Sequence, residues 1–367
     1  MASAADWKAL VKGTFRGLDR QDMLDLYTVD WQQAQDDLIA EHRTRINAER
    51  SGWKRFLRKT NAVLYGLTKR LAPPRRLLFA LAFLVILIDP QAQSFPSIDF
   101  HVMAFIVMTL LLGMELVDKT QFKNELLLAR DVQADLMPKT LPHVPGIELG
   151  AYNRIANTVG GDLYDFEPLP DGRLAVLFGD ASGHGMTAGL IMAVCAATFR
   201  SQIETDPSPE TVISKLNRVL CRTGATRTGG PRQYFAGVSL LLSPDGSYTA
   251  MVAGHPPILK VDLAGRIRER IGKGSYPVGI KEGVRWTLES GVLEPGETLL
   301  LHSDGLADVR NAAGVEFGDA RIESVLLRRS GSTAPALVSA LSAAFTDFLG
   351  RRAPEDDVSV AAIRRTP

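Results

Sequence analysis

The chain has 367 residues, 46% of them hydrophobic, and a formal net charge of +1. That length accommodates a catalytic domain of about 200 residues plus a smaller second region, while the near-zero charge gives no basic bias of the kind nucleic-acid binding requires, so nucleic acid is not an expected partner. The two cysteines, Cys195 and Cys221, lack CxxC spacing and neighbouring histidines, which argues against a zinc site or disulfide framework and fits a reducing cytosolic setting.

Residues 1–20 mix acids, bases and apolar side chains without the continuous apolar core of a signal peptide. Residues 1–70 read as a helical, charged, cytoplasmic region without proline. Between Trp53 and Arg76, eight basic residues (Lys54 to Arg76) occur with no acid, interleaved with Phe56, Leu57, Val63 and Leu64. This composition suits a helix lying on an anionic membrane surface, with a solvated basic helix as the equal alternative. Two apolar runs follow, Leu77–Ile88 and Val102–Val117, joined by a segment without Lys or Arg. Arg75 and Arg76 precede the pair and Lys119 and Lys123 follow it, as the positive-inside rule expects for a hairpin over 71–118 with both ends cytoplasmic. The first run is shorter than the roughly 20 residues that span a bilayer, and Glu115 interrupts the second. A membrane hairpin, spanning or partly embedded, is favoured over a soluble helical hairpin.

A linker helix is expected within 119–143, where Phe122, Leu126, Ala129, Gln133 and Leu136 step by four and three. This seam serves either a homodimer or packing against the next domain, and it is too short for a sustained coiled coil. Pro138, Pro142 and Pro145 end the helix and place a boundary near residue 144. Over 144–367 the pattern changes to β-rich runs: 147–154, 173–180, 234–242, 248–254, 297–303 and 358–365. Helices are expected over 186–203, 209–222 and 334–349, the second with Ser208 as N-cap before Pro209. Strands interrupted by long helices, without strict alternation, indicate an α+β layered fold.

Four acidic clusters lie at the edges of these strands: Gly160-Gly161-Asp162-Leu163-Tyr164-Asp165, Gly179-Asp180, Ser303-Asp304-Gly305 and Asp356-Asp357. Hard divalent cations such as Mg²⁺ and Mn²⁺ favour oxygen ligands, and carboxylates on rigid strand ends can build a two-metal centre that activates water for phosphoryl hydrolysis. Each cluster alone is weak, since Asp-Gly is above all a turn signal.

Their joint order resembles the SpoIIE/RsbU-like branch of the metal-dependent (type 2C-like, PPM) protein serine/threonine phosphatases. The resemblance covers about Leu127 to Arg365 and rests on LARDVQADLMP, VGGDLYDF, LFGDASGHGMTAGLIMA, AGHPPILKV, SYPVGI, LEPGETLLLHSDGLADVRN and DDVSVAAIRR, in that sequence and spacing. It implies an αββα four-layer sandwich and two bound ions, Mn²⁺ or Mg²⁺. By motif, Asp180 resembles the aspartate bridging both ions, the backbone carbonyl of Ala181 binds the second, and Asp304 and Asp356 complete the first. Asp162 is similar to the family's acid placed near the second ion, often through water, and the resemblance implies a supporting role for Asp165. For Asp357 the readings are a direct ligand or a hydrogen bond to a nearby turn, with Asp356 favoured as the ligand. Gly160, Gly161, Gly183 and Gly185 serve tight turns or close approach. His184 is a candidate proton donor to the leaving serine oxygen, against a loop-structuring role, because histidine changes charge near neutral pH. His255 reads as a turn residue. Ser303 and Asp308 replace the family's commoner Thr and Glu without removing a proposed ligand.

The function implied is hydrolysis of phosphoserine or phosphothreonine on a signalling protein, with a STAS-domain anti-anti-sigma factor as the family's substrate. The catalytic domain would lie in the cytoplasm on a membrane-associated chain. A non-catalytic membrane adaptor and a two-metal small-molecule phosphohydrolase are the alternatives.

Overall fold

The strand Leu174–Ala181 carries almost no polar side chain before its last two residues because both of its faces are covered. Leu174, Val176 and Phe178 enter one buried cluster, while Ala175, Leu177 and Ala181 enter another. A strand buried on both sides reads as a continuous apolar run, and its neighbours in chain and space must supply a second sheet and a helical layer. The computed structural model describes residues 52–53, 62, 73–87, 100–224, 232–272, 274–350 and 352–366. The charged region expected over 1–70, the basic stretch following Trp53 and the segment joining the two apolar runs lie almost wholly outside the described residues.

The chain divides into two units, Met1–Gln121 and Phe122–Pro367. The first contains α1 (Pro73–Leu87) and the opening of α2 (Phe100–Leu136). Here the second apolar run and the linker helix are one uninterrupted helix of 37 residues. Arg75 ties the two helices by ion pairs to Glu115 and Asp118, at 3.4 and 2.5 Å, which gives the acid inside the apolar run a partner. Large apolar side chains nevertheless face outward on both helices, among them Leu77, Leu81, Phe105, Leu110 and Leu112, each more than half exposed.

The second unit holds two antiparallel five-stranded sheets. One has the order β1 (Ile147–Arg154), β10 (Val358–Arg365), β9 (Thr298–His302), β6 (Ile258–Val261), β7 (Ile267–Ile271). The other runs β2 (Asp162–Pro168), β3 (Leu174–Ala181), β4 (Phe235–Leu242), β5 (Ser247–Ala253), β8 (Leu288–Val292). Between them lies a core that includes Phe178, Val238, Leu299, Leu301 and Ile363. Helices α3 (Met186–Ile203) and α4 (Pro209–Gly224) cover the outer face of the second sheet through Met192, Phe199, Ile213 and Leu216. Helices α6 (Gly318–Arg328) and α7 (Ala334–Leu349) cover the first, while the short α5 (Asp304–Asp308) follows β9. The αββα order implied by the motifs is the order observed. Among the described residues, α3 is long and apolar enough by composition to cross a bilayer, but its apolar residues are core of this sandwich.

The six expected strands and three expected helices are all present within one or two residues. Strands β2, β6, β7 and β8 and helices α5 and α6 were not anticipated. β7 and β8 are short and polar on exposed positions, so no alternation marks them. Leu177 is fully buried between the second sheet and its helices. Leu177→Ala should therefore lower the unfolding free energy of the second unit by about 2–5 kcal/mol, read from the shift of its urea midpoint.

Candidate metal centre and its support

Strand register brings the acids together. β2 opens at Asp162 and β3 closes at Asp180-Ala181, and the antiparallel pairing places Asp162 directly opposite Asp180. From the other sheet, β9 ends at His302 and passes into Ser303-Asp304, while β10 starts just after Asp356-Asp357. Ser303 and Ser359 link these two ends, the Ser359 N–H donating to Ser303 Oγ at 2.9 Å. Asp162 and Asp357 are buried, Asp180 is partly buried, and Asp304 and Asp356 are exposed at the opening. A cavity of about 220 Å³ lies beside Asp304, Asp308, Glu355 and Asp356.

Crowding perturbs these carboxyls. Burial, then the charges of Asp162, Asp304, Asp356 and Asp357, pushes Asp180 up to about 9. Burial pushes Asp162 up to about 8; hydrogen bonding from Ser359 and Ser303 opposes the shift, and the charges of Asp357 and Asp304 add to it. Burial also raises Asp356, with the Asp357 N–H opposing the shift and His184 close enough to favour the charged form. Acids facing each other across a strand pair repel unless a cation or a proton lies between them.

The surroundings fit a cation. Asp162 Oδ2 is buried without a hydrogen-bond partner. A Cβ on Gly161 would lie 2.7 Å from Asp180 Oδ1 and 2.8 Å from the Ala181 carbonyl oxygen, so the glycine leaves open the space that these two oxygens face. The donors are all hard oxygens, as Mn²⁺ and Mg²⁺ prefer. Among the described residues no three acid, histidine or cysteine side chains already stand together in ligating geometry.

The remaining candidates divide by role. Asp357 accepts the Ala156 N–H at 2.7 Å on Oδ1 and the Gly161 N–H at 2.6 Å on Oδ2, so both oxygens are engaged by backbone. Asp165 is buried and accepts from Arg200 Nε at 2.8 Å, facing away from the acid cluster's partners. Gly183 and Gly185 have φ of 93° and 66°, in the left-handed region, whereas Gly160 and Gly161 are needed for close approach. His184 is exposed at the opening. His255 is buried edge-on to Phe178, with Nδ1 2.8 Å from the Pro256 carbonyl, and burial lowers it to about 3. It is a neutral core residue.

Two residues that the sequence reading did not assign to the site hold it in place. Gln133 of α2 is buried; its Nε2 donates to the Gly160 carbonyl at 2.6 Å and its Oε1 accepts the Gly160 N–H at 3.0 Å. Arg200 of α3 bonds Asp165 and also donates from Nη2 to the Leu136 carbonyl at 2.7 Å, at the end of α2. A polar residue within an otherwise apolar seam was the available signal for Gln133; nothing in the sequence marked Arg200. The seam's last two positions, Gln133 and Leu136, thus pack within the second unit, while Phe122 stays exposed.

Two layered antiparallel sheets with this cluster of acids at their open end define a type 2C-like phosphatase fold. The SiaA-PP2C domain of Pseudomonas aeruginosa superposes with a TM-score of 0.58 at 18% identity, covering 67% of this chain and 98% of that one. The phosphatase domain of SpoIIE from Bacillus subtilis, with a fragment of its regulatory domain, gives 0.50 at 18% identity, covering 59% and 62%. The family model for Stage II sporulation protein E (SpoIIE) matches residues 170–366. The chain belongs to that family, within the SpoIIE/RsbU-like PPM phosphatases. Protein IcfG of Synechocystis is 26% identical over 227 residues, 55% of this chain and 35% of that protein. Phosphoserine phosphatase RsbP of Bacillus subtilis is 27% identical over 191 residues, 52% of this chain and 47% of that protein. The chain therefore spans between a third and a half of the length of these two curated relatives.

Removing Gln133 would strand a buried N–H and a buried carbonyl on Gly160, next to the cradle glycine. Each loss costs on the order of 1–3 kcal/mol. Gln133→Leu should raise the Mn²⁺ concentration that half-maximally stabilises the protein about tenfold or more, read from melting temperature against Mn²⁺, with an unchanged far-UV spectrum. An unchanged midpoint would separate Gln133 from the metal centre.

Proposed function

We propose that this chain is a metal-dependent protein serine/threonine phosphatase acting on phosphoserine or phosphothreonine of a signalling protein. The observation that carries the reading is the Asp162–Asp180 cross-strand pair, with Gly161 leaving open the space that Asp180 Oδ1 and the Ala181 carbonyl oxygen face. Family membership supports it, and so does the phosphoserine phosphatase activity named for RsbP. By the family's substrates, the phosphoprotein would be a STAS-domain anti-anti-sigma factor.

In this reading Asp180, the Ala181 carbonyl, Asp304 and Asp356 would hold two Mn²⁺ or Mg²⁺ ions, with Asp162 as a further nearby carboxyl. When bound, the ions supply an activated water and positive charge at the phosphoryl oxygens. Asp357 organises rather than ligates: its two oxygens fix the turns at Ala156 and Gly161, which sets where the cradle opens. Asp165, held by Arg200, keeps β2 fixed to α3 behind the site. His184, exposed and near Asp356, would give a proton to the leaving serine oxygen or structure its loop.

Asp180→Asn should reduce Mn²⁺-dependent hydrolysis of p-nitrophenyl phosphate and of a phosphoserine peptide by at least about 100-fold, because it removes a carboxylate that would hold the ions. The metal-free variant should melt no lower than the native chain at neutral pH, since the substitution removes a buried carboxyl that must otherwise bind a proton when the chain folds. Native-level turnover by this variant would refute the ligand assignment.

We also propose that α1 and the first half of α2 associate with a membrane. Their outward apolar side chains support this, with basic Arg75, Arg76, Lys119 and Lys123 at the hairpin ends. α1 measures about 22 Å at 1.5 Å per residue, less than a bilayer's hydrocarbon core of about 30 Å, so α1 by itself is partly embedded. The 367-residue chain should sediment with membranes after a high-salt wash and require detergent for release. Recovery as a soluble monomer without detergent would overturn this part.

A further inference from the structure

A phosphoserine presented by a protein brings its neighbouring residues against whatever surrounds the site, and on one side of the opening that surface is cationic. β3 ends at Ala181, with β4 beginning at Phe235 opposite it. α3 leaves from this end at Met186, and α4 returns to finish at Gly224. The last two turns of α4 therefore lie at the same end of the sandwich as the acids. They carry Arg218 and Arg222, one helical turn apart and both exposed.

A chain of contacts joins this helix end to the candidate centre. Ser182, next to Ala181, exchanges hydrogen bonds with Tyr234: its N–H donates to the Tyr234 carbonyl, and its Oγ accepts the Tyr234 N–H, both at 2.8 Å. Phe235 pairs with Val278. Asn217 of α4, buried, accepts the Gly279 N–H at 2.8 Å and donates to the Lys281 carbonyl at 3.1 Å. The loop after Val278 is thus clamped between the centre and α4. Between that loop and α4 lies a cleft of about 380 Å³, lined by Arg218, Arg222, Asn217, Glu282 and Trp286 among others.

Charge and composition identify what fits there. Arg218 and Arg222 have no ion-pair partner among the described residues, and Lys215, Lys281 and Arg285 are exposed nearby on the same two elements. Glu282 is the sole acid among the cleft's lining residues. Trp286, partly buried, anchors the loop by donating from Nε1 to the Tyr276 carbonyl at 2.6 Å. Arginines beside a tryptophan are the composition of protein-binding hot spots, and an excess of unpaired cations selects an acidic partner.

We propose that this cleft is a docking surface for an acidic segment of the phosphoprotein substrate, so that affinity for the substrate comes from α4 and the 278–286 loop rather than from the phosphoryl group alone. The inference rests on the phosphatase reading above.

The test uses the 367-residue chain in detergent with Mn²⁺ and three probes: p-nitrophenyl phosphate, a phosphoserine peptide flanked by glutamates, and the same peptide with glutamines. The native chain should favour the glutamate peptide about fivefold or more in kcat/KM, as expected for a few exposed charge pairs, and the preference should shrink with added salt. Arg218→Glu with Arg222→Glu should abolish the preference through KM and leave p-nitrophenyl phosphate turnover unchanged. The milder Arg218→Gln with Arg222→Gln should fall between. A native chain that hydrolyses all three probes without preference would overturn the docking surface alone, as would a preference the variants retain. Loss of binding to phosphatidylglycerol vesicles by the variants, with peptide kinetics intact, would assign the arginines to the membrane and overturn it too. A native chain with no Mn²⁺-dependent turnover of p-nitrophenyl phosphate would overturn the phosphatase reading, and this inference with it.

Discussion

Asp162 and Asp180 face each other across an antiparallel strand pair, placed where neither carboxyl can be charged without cost, and the arrangement around them follows from that constraint. In most sheets two acids in this position would be selected against, because each weakens the pairing that brings them together. Here the cost is tolerated since the rest of β3 is anchored on both faces, by Phe178 toward the inter-sheet core and by Leu177 toward α3 and α4. The carboxyls respond by holding protons well above the ordinary range, with burial the main cause. Buried acids of this kind cost folding energy when charged, and a proton or a positive charge beside them lowers that cost.

The backbone beside the pair is held from three directions. Asp357 reaches across from the other sheet to two N–H groups, Gln133 satisfies both polar groups of Gly160, and Gly161 keeps its side free of a Cβ. Asp357 ties the two sheets together at the point where they open. Gln133 has a different consequence, because it sits on α2, and Arg200 fastens the end of that helix through the Leu136 carbonyl. The polar groups of a turn next to the acids are therefore satisfied by a helix that enters from residue 100. A displacement of its last turns would leave buried donors and acceptors unpaired, a cost comparable to a tenfold or larger change in a binding equilibrium.

The legible parts of the structure were those with strong periodicity or punctuation. β10 and β1 were readable as uninterrupted or alternating β-formers bounded by turns, and α3 and α7 as long apolar helices. β2 was visible as a motif but not as a strand, because its acids break the apolar pattern at the positions that carry chemistry. β8, exposed at a sheet edge, has Gly291 packed against the Tyr248 ring, a contact that no local pattern predicts. α6 was hidden by Gly318, which reads as a turn but begins the helix with φ of 69°.

By itself the sequence determined the layered α+β class, the order of the acidic motifs and the oxygen-rich chemistry they imply, since these depend on residue type and local spacing. It also marked two apolar runs with basic flanks. Tertiary structure alone decided which acids meet, because register pairs Asp162 with Asp180 across strands and brings Asp357 from a segment nearly two hundred residues away. It also decided that Asp357 is spent on backbone while Asp356 stays at the opening, a distinction between adjacent identical residues that no spacing can make. Only packing turned Gln133 from a polar interruption in a helical seam into a support of the Gly160 turn. Its two partners are atoms of the backbone, and the sequence does not record where backbone atoms come to lie.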